Sequence, residues 1–217
     1  MDLATVDELL TTTRSVRKRL DLTRPVEREV IERALEIAVQ APTGSNAQGW
    51  HFVVVTDAEK RRVIGELYQR SFRDYEKRMA AQKIADDDPR AAQMPRVYSS
   101  ASYLADHLHE VPVHVIPCVE GRVESGPPLF QASLYGSIIP AAWSFMLALR
   151  ARGVGSAWTT LHLAYEKEVA ALLGIPERFT QAALIPVAYY TGTGFKPAER
   201  IPVRERTSWN AWGTRGG

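Results

Sequence analysis

Cysteine is almost missing from this chain. One residue, Cys118, among 217 excludes an intramolecular disulfide and any zinc site built from several thiolates. A dominant charge is missing too. With 27 Lys and Arg against 25 Asp and Glu, the formal net charge of +2 describes neither a nucleic-acid scaffold nor an acidic tail, so small molecules or a second copy are the expected partners. There is no internal repeat and no linker, and 217 residues can bury a core without metal or disulfide support. A single domain over residues 1–217 is expected. The start of the chain carries Asp2, Asp7 and Glu8 where a signal peptide would have basic then apolar residues, and the expectation is a cytoplasmic enzyme.

Charge is absent altogether from Leu129 to Leu149, "LFQASLYGSIIPAAWSFMLAL", a run long enough to cross a bilayer. Gln131, Ser133, Ser137 and Ser144 interrupt it, Gly136 and Pro140 lie inside it, and no second span follows. It reads as a central helix buried on all sides, not as a membrane span. Such a helix needs neighbours on every face, and a subunit interface is one way to supply them.

Helices and strands alternate along the rest. A first helix is expected over Val6 to Thr12, and a second is announced by Pro25, with Val26, Val30, Ala34, Ile37 and Ala38 at helical spacing until Ala41-Pro42. "HFVVVT" predicts a strand buried on both faces, because its β-branched run does not alternate, and Asp57 predicts a capped helix through Leu67. Residues 69–110 include the charged stretch "DDDPR" and read as a lid-like excursion. "VPVHVIPCV", "GVGSAWTTL" and "AALIPVAYYTG" predict further strands, and "AYEKEVAALLGIP" a helix stopped by Gly174. The pattern predicts one α+β domain. The tail, residues 193–217, has too little periodicity to fold alone and should lie as an extended arm on a folded surface.

Two stretches carry candidate chemistry. In "TRSVRKRL", Arg14, Ser15 and Arg17 could form a phosphate clamp, since guanidinium matches phosphate with two parallel bonds; a solvated charge run is the alternative. "APTGSNAQGW" offers backbone N–H groups, a hydroxyl and two amides on small residues, a surface able to approach a flat heteroatom-edged ring, or an ordinary connecting turn. Other motifs carry less. His107, His109, Glu110 and His114 lack the His-Glu-x-x-His spacing of a metal site, Cys118 sits in an apolar strand as a core residue, and "GVGSAW" lacks the third glycine of a dinucleotide fingerprint.

The order of "TRSVR", "APTGSNAQGWHF", "AAWSFMLALRARGVGSAW" and "KPAERIP" resembles the flavin-dependent nitroreductase family over nearly the whole chain. That resemblance implies a three-layer fold, with a central mixed sheet flanked by helices, a long buried helix at a dimer interface and a C-terminal arm. It implies FMN as cofactor, NAD(P)H as co-substrate, a homodimer and a small-molecule electron acceptor. Arg14, Ser15 and Arg17 would hold the phosphate and ribityl chain, joined by Arg200 from the arm. Pro42, Thr43 and Gly44 would approach the ring from the partner subunit, with Asn46 and Gln48 shaping the turn, and Thr159, Thr160 and Leu161 would lie at the N5 side. No side-chain acid or base is implied. Departures from the family pattern are Thr13 in place of an arginine, Gly49 in place of a proline, and Trp143-Ser144 in place of a Gln-Asn pair. Alternatives are a flavin-dependent dehydrogenase or dehalogenase with a dedicated substrate, and a non-catalytic binder of an anionic ligand or nucleic acid.

Overall fold

The computed structural model describes residues 2–80 and 88–214. Part of the expected lid, residues 81–87, lies outside them. The helices are α1 (Leu3–Thr12), α2 (Arg28–Ala38), α3 (Ala58–Ala80), α4 (Met94–His107), α5 (Pro128–Arg150) and α6 (Glu166–Leu173). The strands are β1 (Trp50–Val55), β2 (Val113–Glu120), β3 (Val154–Ser156), β4 (Phe179–Gln181) and β5 (Ile185–Tyr189). They form one sheet in the order β1-β2-β5-β3, with β4 also paired to β2. All of these pairings are antiparallel, and the sheet is mixed only through an isolated parallel bridge between Ser15 and Ser156.

Alternation along the strands sorts the core into two layers. On one face Ile116 and Cys118 of β2 pack with Ile64, Tyr68, Phe72, Leu104 and Val169 of α3, α4 and α6. On the other, Val113 and Val115 pack with Ile31, Ala34, Phe145 and Leu149 of α2 and α5. Helices, sheet and helices make the three layers. Local chemistry fixes several ends: Asp57 Oδ1 accepts the Lys60 N–H at the start of α3, and Gly174 stops α6 in the left-handed region at φ 70°, where a side chain would be strained.

Two expectations need correction. β1 is not buried on both faces: it is an edge strand, and Val54 keeps 39% of its surface exposed. The β-branched run there reflects strand propensity and the partial cover of α2, not two-sided burial. α5 is not buried on all sides either. It is long and apolar enough to cross a membrane by composition, with mean hydropathy 1.4. Ile138, Ala142, Phe145, Met146 and Leu149 are sealed in the core, while Phe130, Tyr135, Ile139 and Trp143 are exposed along the helix. Tyr135, Ile139 and Trp143 are four residues apart and form one apolar stripe. Helix beyond Leu67 agrees with reading the charged stretch from Gln69 as exposed helix and loop, while helix α4 and the short strand β4 were not expected.

Candidate functional site

The loop after α1 is tied to the sheet edge, where the Val16 N–H donates to Ser156 O at 2.8 Å. This sets Arg14, Ser15 and Arg17 beside β3 and the segment that follows it. Four cations, Arg14, Arg17, Lys18 and Arg19, crowd into six residues, and among the described residues no carboxylate pairs with any of them. Their partners are neutral. Arg14 donates to Lys196 O at 3.2 Å, Arg17 to Ser100 Oγ at 3.4 Å, Lys18 to Ser99 Oγ at 2.7 Å, and Arg19 to Thr191 O at 2.7 Å and Gly194 O at 2.9 Å. Burial lowers the Arg17 pKa, against a smaller opposing effect of Tyr68, and burial raises the Tyr68 hydroxyl to about 12. A half-buried guanidinium without a carboxylate is uncompensated charge, and an anion is what it lacks. The donor set therefore fits a phosphate.

The Thr159–Leu161 segment lies next to this cluster, since Tyr68 is influenced by both Arg17 and Thr159. Thr159 is fully engaged: its N–H and its Oγ1 both donate to Leu184 O, and its carbonyl accepts from Leu184 N–H. It braces the segment and keeps no donor for a ligand. Thr160 is exposed and Leu161 opens a 3₁₀ helix, where the first N–H groups have no helical acceptor. Those two positions are the ones able to meet a ligand.

The small-residue turn lies elsewhere. Thr43 precedes a short 3₁₀ turn, Gly44–Asn46, in which Gly44 N–H donates to Ser137 Oγ of α5 at 2.9 Å. Thr43 Oγ1 accepts from Gln48 N–H, and Gln48 Nε2 donates to Asn46 Oδ1 at 3.2 Å, so these side chains shape the turn. Ser45, Asn46 and Gln48 all have φ near +50°, left-handed positions that strain ordinary residues, with right-handed Ala47 between the last two. A Cβ on Gly44 would stand 3.0 Å from Ser133 Oγ, a tight contact that the serine would have to relieve by turning away. Beside the turn is a cleft of about 380 Å³ lined by Gly44, Gly49, Phe130, Ser133 and Leu134.

Within one chain the two halves do not meet. The turn leads into edge strand β1 and rests on α5, on one face of the sheet, whereas the cation cluster joins edge strand β3 and faces α3 and α4 on the other. Three strand spacings alone put the edges about 14 Å apart, and the sheet itself stands between the faces. In the arm, Arg200 Nη1 donates to Glu199 O at 3.4 Å, and Arg14 meets the arm at Lys196 O.

The arm's root was not singled out by sequence reasoning, yet it is built into the cluster. Phe195 sits under the guanidinium groups of Arg19 and Arg150, at 4.3 and 5.0 Å from the ring centroid. Beyond it Trp209 and Trp212 are exposed, the latter completely. Other candidates behave as packing groups. Burial pushes the Cys118 thiol up to about 12, so it is no nucleophile at neutral pH, and His107 pairs with Glu110 at 2.6 Å.

An α+β layered domain with a cation-rich loop beside the sheet edge describes the class, and comparison with known proteins fixes the family. A family model described as "Nitroreductase family" matches residues 10–189. The 5,6-dimethylbenzimidazole synthase of Rhodospirillum rubrum is 27% identical, over 86% of this chain and 81% of that protein. Iodotyrosine deiodinase 1 of Rattus norvegicus is also 27% identical, over 84% of this chain and 61% of that one. Among solved structures, the FMN-dependent nitroreductase NfnB from Mycobacterium smegmatis, in complex with NADPH, superposes with a TM-score of 0.66 at 24% identity, covering 97% of this chain and all of the other. Oxidized iodotyrosine deiodinase bound to FMN and 3-iodo-L-tyrosine gives 0.67 at 24% identity, over 92% and 97% of the two chains. The chain belongs to the nitroreductase family.

Proposed function

We propose that the protein is a homodimeric FMN-dependent oxidoreductase whose site is shared between two chains, using NAD(P)H as reductant and a nitroaromatic, quinone or related small molecule as acceptor. One observation carries this reading: four cations without a carboxylate partner among the described residues stand at one sheet edge, while the turn made of small residues stands at the opposite edge and on the other face. A second copy packed on the apolar stripe of α5 supplies the missing half. The family membership and the FMN-bound relatives support the cofactor.

Bound FMN would supply the chemistry, accepting hydride at N5 from the nicotinamide and passing it to the acceptor. Arg14 and Arg17 neutralise the phosphate, and Ser15 holds the loop against β3. Thr160 and Leu161 present backbone N–H groups to the ring edge, and Thr159 braces them. Pro42, Thr43 and Gly44 of the other chain would close on the ring, with Gly44 held by Ser137 behind it. Asn46 and Gln48 hold that turn in its strained shape, and Arg200 of the arm, which meets Arg14 at Lys196, would join Arg14 and Arg17 at the phosphate. Rate comes from orientation and exclusion of water, with no acid or base side chain required.

The deiodinase and synthase relatives favour a second reading, a dedicated substrate on the same scaffold. Absorbance of the purified protein, then NAD(P)H oxidation with a quinone or nitroaromatic acceptor, tests the proposal. Turnover supports it, a yellow protein without turnover supports the dedicated substrate, and a protein that takes up no FMN overturns both. Nucleic-acid binding with a steep salt dependence would instead mark the cation cluster as a non-catalytic anion site.

A further inference from the structure

The cations of the loop after α1 do not all have the same task. Among the described residues, Arg14 and Arg17 each donate one hydrogen bond, from Nη1, at 3.2 and 3.4 Å. Half-buried Arg19 instead turns all three of its nitrogens onto one loop: Nε donates to Thr191 O at 2.7 Å, Nη1 to Gly194 O at 2.9 Å and Nη2 to Thr193 O at 3.3 Å. A guanidinium spread over three carbonyls has little left for an anion. What it holds is the start of the arm.

That loop, "TGTG" at residues 191–194, joins β5 to the arm. Gly192 and Gly194 have φ of 77° and 42°, left-handed positions open to glycine, and the carbonyls around them converge on Arg19. A side chain on Gly192 would be strained there, and its Cβ would stand 3.1 Å from Arg19 Nη2. The backbones are joined as well: Thr191 N–H donates to Arg19 O and Asp21 N–H to Tyr189 O, both at 2.8 Å, around the bridge between Leu20 and Tyr190. Directly after the loop, the Phe195 ring stands 4.3 Å from the Arg19 guanidinium, 5.0 Å from that of Arg150 on α5, and edge-on to Tyr190 at 4.8 Å. Arg150 Nη1 in turn donates to the Tyr190 hydroxyl at 2.9 Å. The next residue, Lys196, supplies the carbonyl that accepts from Arg14.

We propose that Arg19 and Phe195 are positioning residues, a pin between the cation loop and the arm, so that seating Phe195 and holding an anion at Arg14 and Arg17 are one linked event. The anion part rests on the FMN site proposed above. Withdrawing Phe195 from its seat removes the ring from two cations and takes Lys196 O away from Arg14, and no carboxylate among the described residues takes its place. Like charges on one short loop then repel, and the loop loses the geometry in which Arg14 and Arg17 meet one phosphate. Linkage works in both directions: whatever factor the seat adds to phosphate affinity, phosphate adds to the seat.

Chymotrypsin reads the seat directly, because it cleaves the Phe195–Lys196 bond only when the ring is withdrawn, at a rate that follows the open population. Saturating FMN should slow that cleavage about tenfold in the wild-type chain, and an unchanged rate with FMN bound overturns the linkage. Arg19→Lys keeps the charge but loses the planar fork and its stacking on Phe195. It should bind FMN about tenfold more weakly, be cut faster at Phe195, and lose the protection by FMN. Wild-type affinity, or wild-type cleavage, in Arg19→Lys overturns the pin, since charge alone would then be what Arg19 supplies. If Arg19→Lys does not fold, Phe195→Leu, which changes no charge, should bind FMN about tenfold more weakly, and wild-type affinity there overturns the pin. Wild-type protein that binds no FMN refutes the proposed function instead; the cleavage comparison with Arg19→Lys then decides the seat alone, and equal rates overturn it.

Discussion

Lowering the pH from 7.5 to 5 should destabilise this protein well before its carboxylates titrate. Burial is the main reason that His114 and His162 each have a pKa of about 4 in place of the ordinary 6.5. For a base whose pKa is depressed by folding, the unfolded chain takes up the proton first. Stability is therefore complete above pH 6.5, falls as the pH drops toward 4, and is lost no further below it. At pH 5 each ring costs about 2 kcal/mol, and the two together about 4 kcal/mol, a large part of the roughly 5–15 kcal/mol of a typical domain. Urea unfolding at pH 7.5, 6 and 5 measures the loss, and histidine NMR titration assigns it. A free energy of unfolding unchanged between pH 7.5 and 5, or ring pKa values near 6.5, would refute the buried neutral pair.

Arg14→Ala should weaken FMN binding by about 1.5–3 kcal/mol, or 10- to 150-fold, because Thr13 leaves no neighbouring arginine in reserve; equilibrium dialysis of the folded variant at wild-type affinity would contradict the clamp. Trp143→Gln should alter the relative rates for large and small quinones while the melting temperature holds, whereas a uniform loss that tracks the melting temperature would mean plain packing. Gly174→Ala should lower stability by about 1 kcal/mol in urea through backbone strain alone, since a Cβ there meets no atom within 4 Å.

Much of this fold is readable in local chemistry. Asp57, Gly174 and the unbroken run of β2 mark their elements because caps and two-sided burial act within a few residues. What the sequence hid depends on distant partners. The β1 run reads like a central strand because Val and Ile are favoured in any strand, and only the sheet order shows that it is an edge. The uncharged α5 implies cover on every face but not whose cover it is. Thr159 reads as a ligand contact, yet its hydroxyl is taken by Leu184 O, a pairing that only the folded chain creates.

The central claim is that each flavin is held by two chains. Sedimentation velocity across a dilution series, monitored at the flavin absorbance band, tests it directly, with a parallel series on a chain truncated after Gly194 to remove Phe195 and the arm. The account predicts that all bound flavin sediments with dimer, that it is released as the dimer dissociates, and that truncation moves both events to higher protein concentration. A monomer at micromolar concentration that keeps its flavin would contradict it.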